Sequence, residues 1–323
     1  MPVNTKFDLK LGAATREAFG KALVELGRVN NDVVVCDADL SKSTYTSLFA
    51  KEFPDRFFEC GIAEMNMVGI GGGLAASGKI PFVSSFSAFL LNKGFEQIRI
   101  TGAFPHKNLK LVGTHSGISI GEDGPSQMSI EDIGLACSLA GMTVISPADE
   151  FSMTALIHAA AEHNGPVFVR AGRAKAALIY NAESKFEIGK AVQLIDGTDI
   201  TIIATGLLVA EAIRAAETLE GEGVSVRVID IHTIKPIDRD CIAKAARETG
   251  AIVVAEEHLV DSGLGVRVAQ VVGETAPAVM EFVGIENTYA ESGTPEGLLE
   301  KYGLVAVNVA AAARRALARK KGA

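Results

Sequence analysis

The chain has 323 residues, and 39 acidic against 31 Lys and Arg side chains give it a formal net charge of −8. With 48% hydrophobic and 22% charged residues, the composition excludes a disordered chain. The acidic balance argues against a nucleic-acid binder or an anionic-membrane binder, because both need clustered Lys and Arg. The length predicts two domains of roughly 150 residues each.

In chain order, short β-branched runs alternate with longer stretches rich in Ala, Leu, Glu and Lys. Continuous apolar strands separated by helices predict parallel sheets that are covered on both faces. In the first half, the predicted helices span 14–26, 64–76, 130–140 and 150–163. The predicted strands span 32–36, 81–85, 108–113, 142–146 and 166–170, and the third of them leads into a loop at 115–127.

The alternation is interrupted by the polar stretch NAESKFEIG at 181–189 and then restarts. The second half has predicted strands at 200–205, 224–230, 251–256 and 279–283, and predicted helices at 210–219, 238–248, 265–272 and 307–319. We therefore predict an α/β protein of two consecutive doubly wound domains, at 1–182 and 187–323. The first has a parallel sheet, and the second, smaller domain has a mostly parallel one.

The amino terminus and the cysteines bear on the cellular compartment. The first ten residues, MPVNTKFDLK, lack the basic and apolar regions of a secretory signal, and no apolar run reaches the ~18 residues that span a bilayer. The four cysteines, Cys36, Cys60, Cys137 and Cys241, lie far apart without a CxxC pair. This spacing argues against a zinc ribbon or a redox dithiol and suits reduced thiols. We therefore predict a soluble cytoplasmic protein.

The helix predicted at 64–76 is apolar and rich in glycine. Its glycine run is not a dinucleotide fingerprint, because Leu74 stands where a third glycine is needed and no strand precedes it. Glu64 begins this helix with almost no other charge nearby, so its carboxylate faces a desolvation cost unless a partner meets it. It is either a structural carboxylate or an acid–base group. Phe86 and Phe89, three residues apart, form either an aromatic wall or ordinary core.

The loop GTHSGISIGEDGPSQ sets His115, Asp123 and Gln127 among glycines directly after a buried strand. Loops at that position of a rigid scaffold often carry function. A metal site is not predicted, because no second His or Cys stands at liganding distance. The strand at 166–170 ends in Arg170, and Arg173 follows it. Such arginines either bind a phosphate or carboxylate or form a surface salt bridge.

Together, these stretches resemble the C-terminal section of transketolase, a thiamine-diphosphate enzyme. The resemblance runs along nearly the whole chain, through ATREAFGKALVELG, FFECGIAEMNMVGI, PFVSSFSAFL, SGISIGEDGPSQMSIEDI and IKPIDR. IGEDGPSQM is the most specific of these motifs, and Gln127 stands where yeast-type enzymes carry His and animal-type enzymes carry Gln. The resemblance implies a transferase of the pentose phosphate pathway, which moves a two-carbon ketol unit from a ketose phosphate to an aldose phosphate.

The resemblance also implies roles for individual residues. Glu64 matches the glutamate that hydrogen-bonds the aminopyrimidine of the cofactor and promotes loss of the thiazolium C2 proton. Phe86 and Phe89 match the aromatic pocket around that ring. The expected substrate contacts are His115, Asp123 and Gln127 for the sugar hydroxyls, and Arg16, Ser43 and Arg173 for the phosphate. His115 is further expected to move protons or orient hydroxyls, whereas Asn92 departs from the aromatic or basic residue of many family members.

The family holds the diphosphate and a divalent metal in a separate N-terminal domain through a GDG…N motif, and this chain contains no GDG. The resemblance therefore implies a split transketolase, active only with an N-terminal partner subunit that holds Mg²⁺ or Ca²⁺. The implied assembly is an α2β2 heterotetramer with thiamine diphosphate between the chains. A fragment of a longer chain is the less favoured interpretation, because a short, plausible leader follows Met1.

Two alternative interpretations stay open. The β-subunit of a 2-oxoacid dehydrogenase, or deoxyxylulose-phosphate synthase, shares the two-domain layout and the glutamate but starts from a 2-oxoacid. GEDGPSQM with His115 and Arg173 favours a phosphosugar instead. A non-catalytic scaffold subunit would not need Glu64. In the second domain one charged stretch is interpreted as a solvated strand end without a catalytic role: Glu256, Glu257 and His258.

Overall fold

Residues 7–322 are described by a computed structural model, and residues 1–6 and 323 of the predicted domains lie outside this range. The strands are β1 (Leu11–Ala14), β2 (Val33–Asp37), β3 (Phe57–Glu59), β4 (Ile80–Phe86), β5 (Lys110–Thr114), β6 (Thr143–Ile145), β7 (Val167–Arg170), β8 (Lys175–Ala177), β9 (Val192–Ile195), β10 (Ile200–Ala204), β11 (Val226–Asp230), β12 (Thr233–Lys235), β13 (Ala251–Leu259) and β14 (Val279–Ile285). The helices are α1 (Thr15–Val29), α2 (Ser41–Thr44), α3 (Ser47–Glu52), α4 (Glu64–Ala76), α5 (Ser87–Gln97), α6 (Asp132–Ser138), α7 (Glu150–Glu162), α8 (Leu208–Glu220), α9 (Arg239–Thr249), α10 (Leu264–Thr275), α11 (Pro295–Lys301) and α12 (Ala306–Lys321).

The first large sheet contains seven strands in the order β12-β6-β7-β5-β4-β2-β3. Six of them run parallel, as predicted, and β12 pairs antiparallel with β6. Helices α1 and α7 cover one face and α4 and α5 the other, so β2 is buried at all five positions. Because β12 comes from the second half of the chain, that half completes an edge of the first sheet, which the sequence pattern does not predict.

The second large sheet has the order β14-β13-β10-β11-β9, with four parallel strands and an antiparallel β9 at the edge. Helices α8 and α12 cover one face, and α9 and α10 cover the other. Both sheets are therefore wound with helices on both faces, and the predicted α/β class is confirmed. The boundaries 1–182 and 187–323 stay a prediction.

All of the predicted helices and strands are present, most with ends shifted by a few residues. The helix predicted at 64–76 is α4 without a shift. Its glycines allow close packing, because a Cβ on Gly71 would lie 2.5 Å from Val83 and one on Gly72 would lie 2.5 Å from Thr101. The short elements that the pattern does not predict are β1, β3, β8, β9, β12, α2, α3, α5 and α11.

The charged stretch of the second domain is where the prediction is wrong. Strand β13 continues to Leu259, and Glu256, Glu257 and His258 are only 2%, 3% and 0% exposed. They are buried because this end of the strand enters the interface with the first domain. There the Glu257 carboxylate accepts a hydrogen bond from the Ser119 backbone N–H at 2.6 Å, while Glu256 accepts two from the start of α10.

Candidate functional site

The carboxyl ends of β2, β4, β5 and β7 meet at one edge of the first sheet, where open α/β sheets bind their ligands. Helix α1 begins at the same edge, since the Arg16 backbone N–H donates to the Gly172 carbonyl at 3.4 Å. Phe86 is the last residue of β4, and His115 directly follows β5, so both predicted residues lie at this edge. The topology thus gathers residues that are far apart in the sequence.

His115 follows β5 and is buried, with a left-handed φ of 57°. Its ring stacks on Phe86 with the ring centroids 3.7 Å apart. Nε2 lies 3.0 Å from Nη1 of Arg16, and Nδ1 lies 2.9 Å from Oγ1 of Thr114. Because a guanidinium can only donate, Nε2 accepts and the proton is assigned to Nδ1. Burial, followed by the charges of Arg16 and Arg173, lowers the pKa of His115 to about 3, so the ring is neutral at neutral pH.

Two guanidinium groups stand beside this histidine. Arg16 Nη1 also donates to the Ser43 carbonyl at 2.7 Å, while its buried Nε has no hydrogen-bond partner among residues 7–322. Arg173 Nη1 donates to Glu122 Oε2 at 3.0 Å and to the Ile120 carbonyl. Burial lowers the pKa of Arg16, and Arg173 adds to this effect. Two neighbouring cations with an unused donor are suited to an anion such as a phosphate.

The remaining predicted polar residues line the same edge less tightly. Asp123 is exposed, and its charge acts on Arg16. Gln127 is half-buried; its backbone N–H donates to the Gly124 carbonyl at 3.1 Å, and within residues 7–322 no hydrogen bond joins its side chain to the guanidinium groups. Ser43 contributes its carbonyl rather than its hydroxyl. The structure therefore brings Arg16, Ser43, His115 and Arg173 into contact or close charge interaction, with Asp123 nearby.

Glu64 lies at the first turn of α4 and is 3% exposed. Lys93 Nζ donates to its carboxylate at 3.2 and 3.4 Å, and the Lys93 ammonium lies 4.7 Å from the centroid of the Phe89 ring. Phe89 stacks on Phe86 with centroids 5.7 Å apart and planes 13° apart. A continuous row of contacts therefore links the carboxylate, through one lysine and two aromatic rings, to His115. Phe86 also belongs to a buried hydrophobic cluster, and Phe89 packs against that cluster, so the stacked pair borders the core as well as the site.

Lys93 is a member of this site that sequence reasoning missed. It stands four residues after Phe89 on α5, and residues at that spacing share a helix face. The spacing was the available signal. The side chain of Lys93 is 50% exposed, so it supplies Glu64 with a partner at the protein surface rather than a buried one.

Large apolar side chains are exposed around the Glu64 end of the site. Ile62 and Met65 flank Glu64 in sequence and are 77% and 50% exposed. We call Ile62 and Met65 the apolar rim. Exposed apolar groups of this size close to one another are typical of surfaces that meet another protein.

Behind the polar loop lies a buried network of charged groups. Arg170 Nε donates to Asp132 Oδ2 at 2.8 Å, and Asp132 also accepts from the Ser87 hydroxyl at 2.9 Å. Arg170 Nη2 donates to the Glu257 carbonyl at 2.9 Å, and Glu257 in turn binds Ser119. Arg170 is thus held by a buried internal ion pair and not by a surface salt bridge. The network joins the second domain to the start of α5 and to the polar loop.

Gly117 shows how tightly Glu257 holds that loop. A Cβ at Gly117 would lie 2.2 Å from the Glu257 carboxylate, and the residue has a φ of +77° that favours glycine. Burial raises the pKa of Glu257, and the positive charge of Arg170 opposes that shift. No motif in the sequence marks Glu257, because its importance comes only from the packing of the two domains.

Asn92, whose role the resemblance leaves open, donates to Glu131 Oε1 at 2.8 Å and so ties α5 to the segment before α6.

Among residues 7–322, no group of three or more His, Cys, Asp and Glu side chains is arranged to hold a metal ion. In the same range no helix combines the length and the apolar character needed to cross a bilayer.

Comparisons with known proteins find similarity to transketolases along nearly the whole chain. The model of the transketolase pyrimidine-binding domain matches residues 12–177, and that of the transketolase C-terminal domain matches residues 189–309. A putative transketolase C-terminal section from Methanocaldococcus jannaschii is 44% identical over 91% of this chain and 93% of its own length. Human transketolase is 40% identical over 93% of this chain, which spans only 48% of the human enzyme.

Among solved structures, a split-gene transketolase, described as an inactive β4 tetramer, superposes with a TM-score of 0.90. It is 48% identical and covers 96% of this chain and 100% of that chain. The similarity therefore extends over both α/β domains and over a relative of matching length.

Proposed function

This chain belongs to the transketolase family, and from that premise we propose that it is the C-terminal subunit of a split transketolase. The proposed reaction transfers a two-carbon ketol unit from a ketose phosphate to an aldose phosphate. The observation that carries the proposal is Glu64, a buried carboxylate whose partner Lys93 is half exposed and which is bordered by a stacked aromatic pair and the apolar rim. Such a group is poised for a ligand and a partner chain.

The residues fit the aminopyrimidine ring of thiamine diphosphate. Glu64 offers a carboxylate acceptor, while Phe86 and Phe89 offer a flat apolar wall beside it. When bound, the cofactor supplies a carbanion that can attack a sugar carbonyl. In the proposal Glu64 holds a proton at the pyrimidine, and the aromatic pair orients the ring and excludes water. The diphosphate and the Mg²⁺ or Ca²⁺ would be held by the partner chain, since this sequence lacks a GDG motif.

The substrate would enter at the polar end of the site. Arg16 and Arg173 would bind the phosphate together with Ser43, because the two guanidinium groups supply charge and an unused donor. Asp123 and Gln127 would face the sugar hydroxyls. His115, neutral and with its proton on Nδ1, presents Nε2 to Arg16, so a hydroxyl that displaces this contact would find a hydrogen-bond acceptor there.

The proposed assembly is an α2β2 heterotetramer in a cytoplasmic setting. The apolar rim supports an interface close to Glu64, and the four free cysteines are compatible with a reducing compartment. The split-gene relative that is described as an inactive β4 tetramer supports a need for a second kind of subunit. Sedimentation of this chain with and without an N-terminal subunit tests the stoichiometry.

The experiment that tests the function compares the purified chain alone with the chain mixed with its GDG-bearing N-terminal subunit, both with thiamine diphosphate and magnesium. We expect ketol transfer between sugar phosphates only in the mixture, and no turnover of pyruvate. Full activity of the chain alone would overturn the split arrangement. Turnover of pyruvate instead of sugar phosphates would identify the 2-oxoacid class.

A further inference from the structure

Two of the four cysteines meet in the fold although 24 positions separate them in sequence. Cys36 is a buried residue of β2, where it pairs with Phe58 of β3, and Cys60 follows the end of β3. The Cys60 backbone N–H donates to the Asp37 carbonyl at 2.9 Å, which places Cys60 beside the end of β2. Both side chains pack in the same apolar layer beneath α4, the Cys60 thiol donates to the Phe58 carbonyl at 3.6 Å, and the two thiols lie close enough for each to shift the pKa of the other.

The expectation that no redox dithiol exists stays a prediction, and this pair is the candidate that could contradict it. It was based on the absence of CxxC, which brings two thiols together through local chain geometry. Here the register of two neighbouring parallel strands does the same across a long sequence separation. Cys137 and Cys241 differ, because burial is the main influence on each and raises the pKa of both thiols to about 11.

The two thiols of the pair are unequal. Cys60 is half-buried, and the neighbouring Cys36 thiol lowers the pKa of the Cys60 thiol. The same contact and burial raise the pKa of Cys36. A partly exposed thiol with thiolate character next to a buried thiol is the arrangement of an attacking and a resolving cysteine.

The backbone near Cys60 has room to adjust. Gly61 has a φ of +67°, and nothing lies within 4 Å of the position of a Cβ there. Disulfide bonds require a narrow range of Cα separations and dihedral angles, so a small movement is needed to convert a thiol contact into a bond. The segment from Cys60 to Ala63 can supply that movement, whereas Cys36 is fixed inside the sheet.

We propose that Cys36 and Cys60 form a reversible intramolecular disulfide, a redox modification site four residues before Glu64. With hydrogen peroxide as oxidant, the Cys60 thiolate attacks one oxygen, the O–O bond breaks, and a proton taken up by the other oxygen yields water and a sulfenic acid. The Cys36 sulfur then attacks the Cys60 sulfur, the S–O bond breaks, and the departing hydroxide takes the Cys36 proton. In total two thiols and one peroxide give one disulfide and two waters, and an added dithiol reverses the reaction.

The location gives the disulfide a consequence. The segment that must move ends at Ala63, whose carbonyl accepts from the Met67 N–H in the first turn of α4. Moving this segment shifts Glu64. This step rests on the proposed function, because only in an active complex does the position of Glu64 affect a rate. A displacement of about 1 Å at a reacting group costs roughly a hundredfold in rate.

The test treats the reduced full chain with stoichiometric hydrogen peroxide and maps the thiols by mass spectrometry under non-reducing conditions. We expect a peptide pair linked through Cys36 and Cys60, a mass lower by two hydrogens, and reversal by dithiothreitol. Cys36→Ala and Cys60→Ser should abolish the linked pair, while the matched controls Cys137→Ser and Cys241→Ser should retain it. Links between chains, or oxidation of Cys60 beyond sulfenic acid with Cys36 still free, would overturn the proposal.

The activity of the reconstituted complex supplies a second readout. We expect oxidation to lower kcat/KM roughly ten- to a hundredfold, with recovery on reduction and no response in Cys60→Ser. If the linked peptide forms without an effect on the rate, the coupling to Glu64 is wrong while the disulfide stands. If the reduced complex has no ketol-transfer activity, the proposed function fails, and the peptide map still decides the disulfide.

Discussion

Glu64 and Glu257 are both buried carboxylates, each 3% exposed, yet their surroundings differ. Glu257 accepts a backbone hydrogen bond from Ser119 at 2.6 Å, and the buried Arg170 lies close enough for its charge to act on the carboxylate. Glu64 has one half-exposed lysine as partner, at 3.2 Å. Burying a carboxylate is costly unless its hydrogen bonds are met. Glu257 therefore has its partners within the chain, whereas Glu64 can still accept hydrogen bonds from a ligand or from a partner chain that covers the apolar rim.

The largest expected effect that tests this difference between Glu64 and Glu257 is the loss of activity in Glu64→Gln. We expect ketol transfer by the reconstituted complex to fall ~10²- to 10⁴-fold, because an amide cannot hold the acid–base proton. The stability of the chain should change by less than ~1 kcal/mol, since the lost ion pair is half exposed. Steady-state kinetics and denaturant unfolding measure the two quantities.

The control for this variant is Glu96→Gln, which changes the same charge at an exposed position of α5. It should leave the rate and the stability unchanged. Activity of Glu64→Gln close to that of the unchanged protein would place Glu64 with the structural carboxylates and would support the scaffold alternative.

The opposite pattern is expected for Glu257→Ala. Removing the carboxylate leaves the Ser119 N–H without a partner and removes a negative charge beside Arg170, which should cost about 3 kcal/mol of unfolding free energy. Denaturant titration of the single chain measures the loss. Glu257→Gln keeps an oxygen that can accept from Ser119, so it should retain more stability than the alanine variant. Equal losses in the two variants would contradict the assigned role of the hydrogen bond.

The sequence marks Glu64 as a candidate but not Glu257, and this difference has a physical reason. Glu64 stands out because it is an isolated charge at the start of an apolar, glycine-rich helix, a local property that a sequence displays. Glu257 stands at the end of an apolar strand, where charged residues are often solvated. Its burial depends on a second domain closing over it, and no local pattern encodes that contact.

The same distinction applies to the rest of the molecule. The alternation of buried strands with helices predicts both α/β sheets, because continuous apolar runs are a local signal. The pairing of β12 with the first sheet and the contact of Cys36 with Cys60 depend on strand register across long separations. The motifs identify His115 and Arg173 as candidates, but their contacts with Arg16 and Glu122 arise only when distant segments of the chain fold together.

A smaller expected effect tests His115, which joins the aromatic pair beside Glu64 to the loop beside Glu257. His115 stacks on Phe86 at one side and begins the loop that Glu257 holds at the other. Its folded-state pKa of about 3 lies below its ordinary value of 6.5. As the pH falls from 6.5 toward 3, His115 binds a proton in the unfolded chain but not in the folded chain, so the free energy of unfolding falls. Above pH 6.5 the histidine is neutral in both states, and its contribution to stability is constant.

The expected slope is roughly 1.4 kcal/mol per pH unit below the ordinary pKa. The unfolding free energy should be measured with denaturant at about pH 6, 5 and 4. The difference in unfolding free energy between the unchanged protein and His115→Gln should change with this slope. All other titrating groups are common to both proteins and cancel in the difference. Parallel stability curves would mean that His115 is protonated in the folded chain.

The smallest expected effect concerns Glu122, an exposed carboxylate that contrasts with both buried ones. Its 3.0 Å ion pair with Arg173 must open before that arginine can bind a substrate phosphate. Exposed pairs of this kind are weak, so Glu122→Gln should lower KM for the phosphorylated substrate by no more than about fivefold while kcat stays constant. The gain should shrink at high ionic strength, because salt screens the competing pair already. The matched control is Glu52→Gln, which removes an exposed carboxylate paired with Arg28 at the far end of α1; an equal fall in KM there would assign the effect to net charge instead of to Arg173.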